Sequence, residues 1–218
     1  MTELKPWPKI ARLFRDIVIT EKIDGTNGAI GIADDELLAK WDGGVQLGDA
    51  ITASHSDYNG TLLVYAQSRS RIITPKEDNH GFAKWVWDNA DALVQVLGPG
   101  LHYGEWWGSG INRGYGLPKG EKRFSLFNTK RWSGEILREH GLPGLHVVPV
   151  LYTGPFSTVA VQGVKADLLA HGSYASPGFM NPEGVVVYHT AGNVMFKSTL
   201  ENDELPKEVV KNRMMKAA

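Results

Sequence analysis

Five short segments of this sequence set a chemically capable side chain at the end of an apolar run. In Thr20-Glu21-Lys22-Ile23-Asp24-Gly25-Thr26-Asn27, a lysine closes a β-branched stretch and an Asp-Gly turn follows. That order puts an amine at the rim of a sheet. Partial burial and neighbouring cations could lower its pKa and give the free amine that attacks phosphorus or carbonyl carbon. In isolation the same residues also describe a solvated lysine beside a hairpin turn. In Tyr103-Gly104-Glu105-Trp106-Trp107-Gly108, Glu105 could accept from a ribose hydroxyl, or be an edge-strand acid beside core aromatics. In Arg123-Phe124-Ser125-Leu126-Phe127-Asn128, alternation separates Phe124 and Leu126 from Ser125 and Phe127. One ring then belongs to a core, and the other could stack on a purine. Glu183 leads into the apolar run Val185-Val186-Val187, and Lys197 ends Val194-Met195-Phe196-Lys197. An acid and a lysine in one cleft suit phosphate and Mg²⁺ chemistry, the acid holding hydrated metal and the lysine neutralising phosphate.

The elements that must position these groups follow from periodicity and turn residues. Residues 16–24 and 28–33 read as β segments around Asp24-Gly25-Thr26-Asn27, and 61–66 as a third strand. The Gly- and Asp-rich stretch 34–60 reads as irregular, with room for short strands. Phe82, Val86, Ala90, Leu93 and Leu97 share one face of a helix over 79–97, stopped by Gly98-Pro99-Gly100. Strands are expected over 101–107, 123–129 and 145–151, and a short helix over 133–140. A second long helix covers 157–170, with Ser157 as N-cap and His171-Gly172 as stop. Residues 183–189 and 193–197 form a hairpin, and the charged tail from Glu204 reads as helical. Strands outnumber helices and connections are too short for repeated βαβ crossovers, so the fold class is α+β, with mostly antiparallel sheets flanked by helices in one domain.

Composition narrows the class. With 23 Lys and Arg against 24 Asp and Glu, the net charge of −1 excludes a generally basic nucleic-acid-coating protein but not a local basic groove. Cysteine is absent, which removes disulfides, thiolate metal sites and cysteine nucleophiles. No apolar run reaches the roughly 18 residues needed to span a bilayer, and the N-terminus lacks a signal-peptide pattern. The expectation is a soluble cytoplasmic protein with no membrane partner.

The five segments, in this order and spacing, resemble the nucleotidyltransferase motifs of the covalent superfamily of ATP-dependent RNA ligases, DNA ligases and mRNA capping enzymes, most closely the nick-sealing phage-type RNA ligase branch. The resemblance runs from about Glu21 to Lys197. It implies a nucleotidyltransferase (ATP-grasp-like) domain, ATP as cofactor with Mg²⁺ or Mn²⁺, and a monomer. The implied partner is nucleic acid, RNA before DNA, with 5′-phosphate and 3′-hydroxyl ends. It implies Lys22 as the nucleophile that becomes lysyl-AMP, Glu21 at adenine, and Ile23 among the nucleotide contacts. Asn27 matches an asparagine typical of the RNA-ligase branch that helps hold metal-bound water. Arg69, or Arg71 in the repeated Ser68-Arg69-Ser70-Arg71, matches an arginine at the nucleotide and substrate end.

By the same resemblance Glu105 binds ribose, Phe127 and Val186 enclose adenine, Glu183 is associated with metal through water, and Lys197 contacts phosphate. The family often carries two lysines in the last motif; here Lys197-Ser198-Thr199 has threonine at the second, and Lys207 or Arg213 could assist. Little chain follows Lys197, so the resemblance is to a catalytic domain with no OB or other C-terminal domain. A minimal DNA ligase and a self-adenylating module that does not ligate are the alternatives.

Overall fold

A computed structural model of the chain describes residues 7, 9–34, 53–57 and 60–204. The expected helical tail, Lys207, Arg213 and most of the 34–60 stretch lie outside them. The chain divides into two compact units, Met1–Lys22 with Pro149–Ala218, and Ile23–Val148. Both are α+β.

The first unit is a four-stranded antiparallel sheet in the order β11-β10-β1-β9. Its strands are β1 (Asp16–Lys22), β9 (Val150–Pro155), β10 (Gly184–His189) and β11 (Val194–Thr199). β1 alternates as expected of a half-covered strand: Ile17, Ile19 and Glu21 are buried, and Val18, Thr20 and Lys22 face the other way. Ile17 and Ile19 join Val185 and Val187 in a core closed by Leu168. Leu168 lies on the long helix Thr158–His171, capped by Ser157, whose hydroxyl accepts from the Ala160 N–H at 3.4 Å.

The second unit is a seven-stranded sheet, β3-β4-β2-β6-β7-β8 with β5 paired to β4. Its strands are β2 (Thr26–Ala33), β3 (Ala53–Asp57), β4 (Gly60–Ser68), β5 (Ile72–Ile73), β6 (Gly100–Gly108), β7 (Lys122–Leu126) and β8 (Leu145–Val147). All pairs are antiparallel except β7 with β8. One face packs under α1 (Phe82–Asp88), α2 (Ala90–Leu97) and α3 (Gly134–His140), with the long helix of the first unit being α4. At the centre of this core the Phe82 ring lies 4.9 Å from Phe124 and 5.5 Å from Trp106. Gly28 makes room for it: a Cβ there would stand 2.6 Å from the ring.

Four expectations are corrected. The helix over 79–97 is two helices, broken where Asn89 leaves helical geometry (φ −118°, ψ 15°). Its side-chain amide donates to the Trp85 carbonyl at 2.8 Å, replacing a backbone bond. The strand over 145–151 is also two, β8 in one sheet and β9 in the other. Pro149 has no N–H to continue a ladder, and it marks the crossing between the units. Strand β7 stops at Leu126, short of the expected residue 129, because Asn128 starts a turn whose side-chain oxygen accepts from the Arg131 N–H at 3.1 Å. The Asp24-Gly25 turn closes no hairpin, since β1 and β2 belong to different sheets. Among the described residues no helix is long and apolar enough to cross a membrane.

Phe82 is fully buried. Replacement by alanine is expected to cost about 3–5 kcal/mol of stability, read as a lower midpoint in chemical denaturation.

Candidate active site

Antiparallel register assembles the first group of site residues. Lys22 pairs with Gly184, Thr20 with Val186, and Val186 with Lys197. Directly opposed residues share a sheet face, so Lys22, Val186 and Lys197 lie on the face opposite α4. Glu183 immediately precedes β10, and its carboxylate meets the Lys22 amine at 2.5 Å. The expected neighbours of Lys22 are cations; the structure sets this carboxylate in contact with it. Lys197 is exposed.

Glu21 precedes Lys22 on β1. Its carboxylate is on the α4 side of the sheet and 1% exposed. It accepts from the Ser173 hydroxyl at 2.6 Å and from the Tyr174 and Ala175 N–H groups at 2.8 and 2.9 Å. Burial raises its pKa, and the hydrogen bonds from Ser173, Ala175 and Tyr174 oppose that rise. The side chain therefore holds the 173–175 segment, and it is turned away from the face that carries Lys22.

The position of the missing second lysine is also clear. Thr199 opposes Gly184 in the row of Lys22, and its hydroxyl donates to the Glu201 carbonyl at 2.8 Å. The nearby Lys165 amine donates to the Ser198 hydroxyl at 2.9 Å. Ser198 faces the α4 side, so Lys165 does not substitute for the absent lysine.

The second unit carries the other group. Asn27 pairs with Glu105 across β2 and β6, and Glu105 with Ser125 across β6 and β7. The Asn27 amide donates to Glu105 Oε2 at 2.7 Å, and the Gly25 N–H to Oε1 at 3.1 Å. Gly25 is required for close approach: a Cβ would stand 2.4 Å from the Trp106 carbonyl oxygen. Ile23 is buried, and Phe127, just past β7, is 40% exposed, its N–H donating to the Tyr103 carbonyl at 3.0 Å. Of the two arginines after β4, Arg71 forms an ion pair with Glu77 at 3.0 Å, and Arg69 forms none among the described residues. Asn112, Arg113 and Tyr115 bind Asp24 and Gly25, an arrangement spacing did not announce. Its one visible signal is the run of glycines at 108, 110, 114 and 116.

Among the described residues, no three His, Asp or Glu side chains gather to hold a metal. A hard cation that keeps most of its water and binds through nucleotide phosphates needs only an oxygen or two from the protein. The Glu183 carboxylate in the first unit and the Asn27 amide oxygen in the second are each oxygen donors of that kind.

The sequence model of the RNA ligase family matches residues 15–199. The chain belongs to the RNA ligase family. A variant of the Naegleria gruberi RNA ligase with AMP and Mn aligns at a TM-score of 0.51, with 17% identity over 86% of this chain and 50% of that one. A second variant of that enzyme, with ATP and Mn, gives 0.51 and 18% over 87% and 51%. An archaeal ATP-dependent RNA ligase gives 0.47 and 17% over 90% and 48%. The chain thus spans about half the length of these proteins, and the two Naegleria structures show that it shares the RNA-ligase fold. No curated protein matches its sequence.

Glu21 gives a pH test. A carboxyl whose folded pKa is raised above 4.5 adds stability at pH below 4.5 and loses that increment as pH rises through the folded value. The stability of the native chain relative to Glu21→Gln should therefore fall as pH rises above 4.5 in denaturant titrations. A difference that grows with pH would contradict the assignment.

Proposed function

We propose that the chain is the catalytic domain of an ATP-dependent RNA ligase, its two units together forming one nucleotidyltransferase, with Lys22 as the adenylated residue. The observation that carries this reading is the Lys22–Glu183 contact on the sheet face shared with Val186 and Lys197, in a member of the RNA ligase family. The ligation reaction itself, ATP and RNA ends as substrates, and the divalent metal are extended from the family and from the Naegleria enzyme, which is known with AMP and Mn.

The Lys22 ammonium must lose a proton before its lone pair can attack, and Glu183 Oε2 is an acceptor already in contact with it. Lys22 Nζ then forms a bond to the α-phosphorus of ATP, the bond to the bridging oxygen breaks, and pyrophosphate leaves. Mg²⁺ or Mn²⁺, when bound, offsets phosphate charge, with Glu183 and Asn27 as oxygen donors through water. Lys197 neutralises phosphate oxygens, Arg69 meets the nucleotide and substrate end, and Ile23 lines the nucleotide. Glu105 accepts from ribose, and Phe127 and Val186 enclose adenine. A 5′-phosphate oxygen of RNA next attacks the lysyl-AMP phosphorus, breaking the P–N bond and giving a 5′-5′ pyrophosphate. A 3′-hydroxyl attacks the RNA phosphorus, its proton is lost, AMP leaves and a phosphodiester forms.

Incubation with α-labelled ATP and a divalent metal is expected to label the chain covalently, and Lys22→Ala to abolish the band on denaturing electrophoresis. A labelled band in a folded Lys22→Ala variant would sink the assignment. A panel of 5′-phosphorylated RNA and DNA substrates then reads the rest: sealing of RNA-containing ends supports an RNA ligase, and adenylation without sealing of any end contradicts ligation.

A further inference from the structure

The segment after β6 holds two non-glycine residues in left-handed geometry, Asn112 (φ 44°) and Tyr115 (φ 51°, ψ 25°). Asparagine tolerates that region, but a bulky tyrosine there is strained. Both act on the turn that follows the candidate nucleophile. The Asn112 amide donates to Asp24 Oδ1 at 3.0 Å and to the Gly25 carbonyl at 2.7 Å. The Tyr115 hydroxyl accepts from the Asp24 N–H at 2.9 Å, and Arg113 Nε donates to Asp24 Oδ2 at 3.3 Å. Tyr115 is fully buried, edge-on to Trp107 with centroids 5.2 Å apart. The turn so held presents its Gly25 N–H to Glu105 Oε1, while Asn27 takes Oε2.

We infer that Asn112 and Tyr115 are positioning residues for ribose recognition, acting through Gly25 on the carboxylate of Glu105. This rests on the reading of Glu105 as the ribose acceptor. A carboxylate with one hydrogen bond on each oxygen is fixed in rotamer and in direction, so its remaining lone pairs point along set lines. Loss of the Gly25 bond removes the donor that directs Oε1, and that oxygen is free to turn. The strained backbone is consistent with this. Without its contacts to Asp24 and Gly25, nothing about the exposed Asn112 requires a left-handed residue, whereas with them its amide reaches two acceptors at once.

The test compares self-adenylation with ATP, 2′-deoxy-ATP and 3′-deoxy-ATP in the native chain, Asn112→Gly and Tyr115→Phe. Glycine keeps the left-handed backbone and removes only the amide; phenylalanine keeps the ring and removes only the hydroxyl. The native chain should prefer ATP over at least one deoxy analogue. Each variant should narrow that preference by about threefold or more, through a higher KM for ATP with KM for the disfavoured analogue unchanged. A loss of fold alone would raise both KM values together, and thermal melting checks it independently. The inference is overturned if both variants fold and keep the full preference, or if the native chain shows none. Absence of any covalent adenylate on the native chain would instead overturn the ligase reading from which the inference starts.

Discussion

A lysine amine touching a carboxylate 161 residues away depends on strand register. Lys22 meets Glu183 because Lys22 pairs with Gly184 and every pair back to Ile17 with His189 keeps step. A slip of one residue would turn Lys22 into the α4 core and bring Glu21 out onto the opposite face. What prevents the slip is the burial of Ile17, Ile19, Val185 and Val187 around Leu168, since exchanging them for Val18, Thr20 and Lys22 would bury an amine and a hydroxyl in their place. The apolar core and the reactive contact are therefore two faces of one constraint.

Glu21 shows what that constraint demands. Alternation forces a carboxylate into the buried face at the end of β1, where desolvation alone would be costly. Three donors from 173–175 surround it, so the cost is offset by fixing the segment that follows α4. The second unit solves the same problem for Glu105, which is 8% exposed and held by the Gly25 N–H and the Asn27 amide. In both, backbone N–H groups among the donors fix the direction of the carboxylate.

Elements whose periodicity is carried by their own residues were legible in the sequence. The face of Phe82, Val86, Leu93 and Leu97, the capped helix after Ser157, and the hairpin of β10 and β11 are all of this kind. What was not legible depends on distant partners. The break at Asn89 follows from an amide competing for the Trp85 carbonyl, and composition cannot say whether it does so. The division of 145–151 needed the knowledge that its two ends join different sheets. The direction of the Glu21 side chain was available from alternation, but that periodicity carries no information about adenine. Tyr115 left only the glycines around it as a signal, because its role lies in one hydroxyl and an unusual backbone angle.

The contact between Lys22 and Glu183 sets a condition on any chemistry at this amine. At 2.5 Å the carboxylate is matched to an ammonium, which has no lone pair to offer. The attack proposed for this amine therefore requires that a proton first leave it, and Glu183 Oε2 is an acceptor in contact with it. Lys197 is exposed on the same face, opposite Val186. The chemistry proposed for this amine is therefore tied to the strand register that brings Glu183 to it.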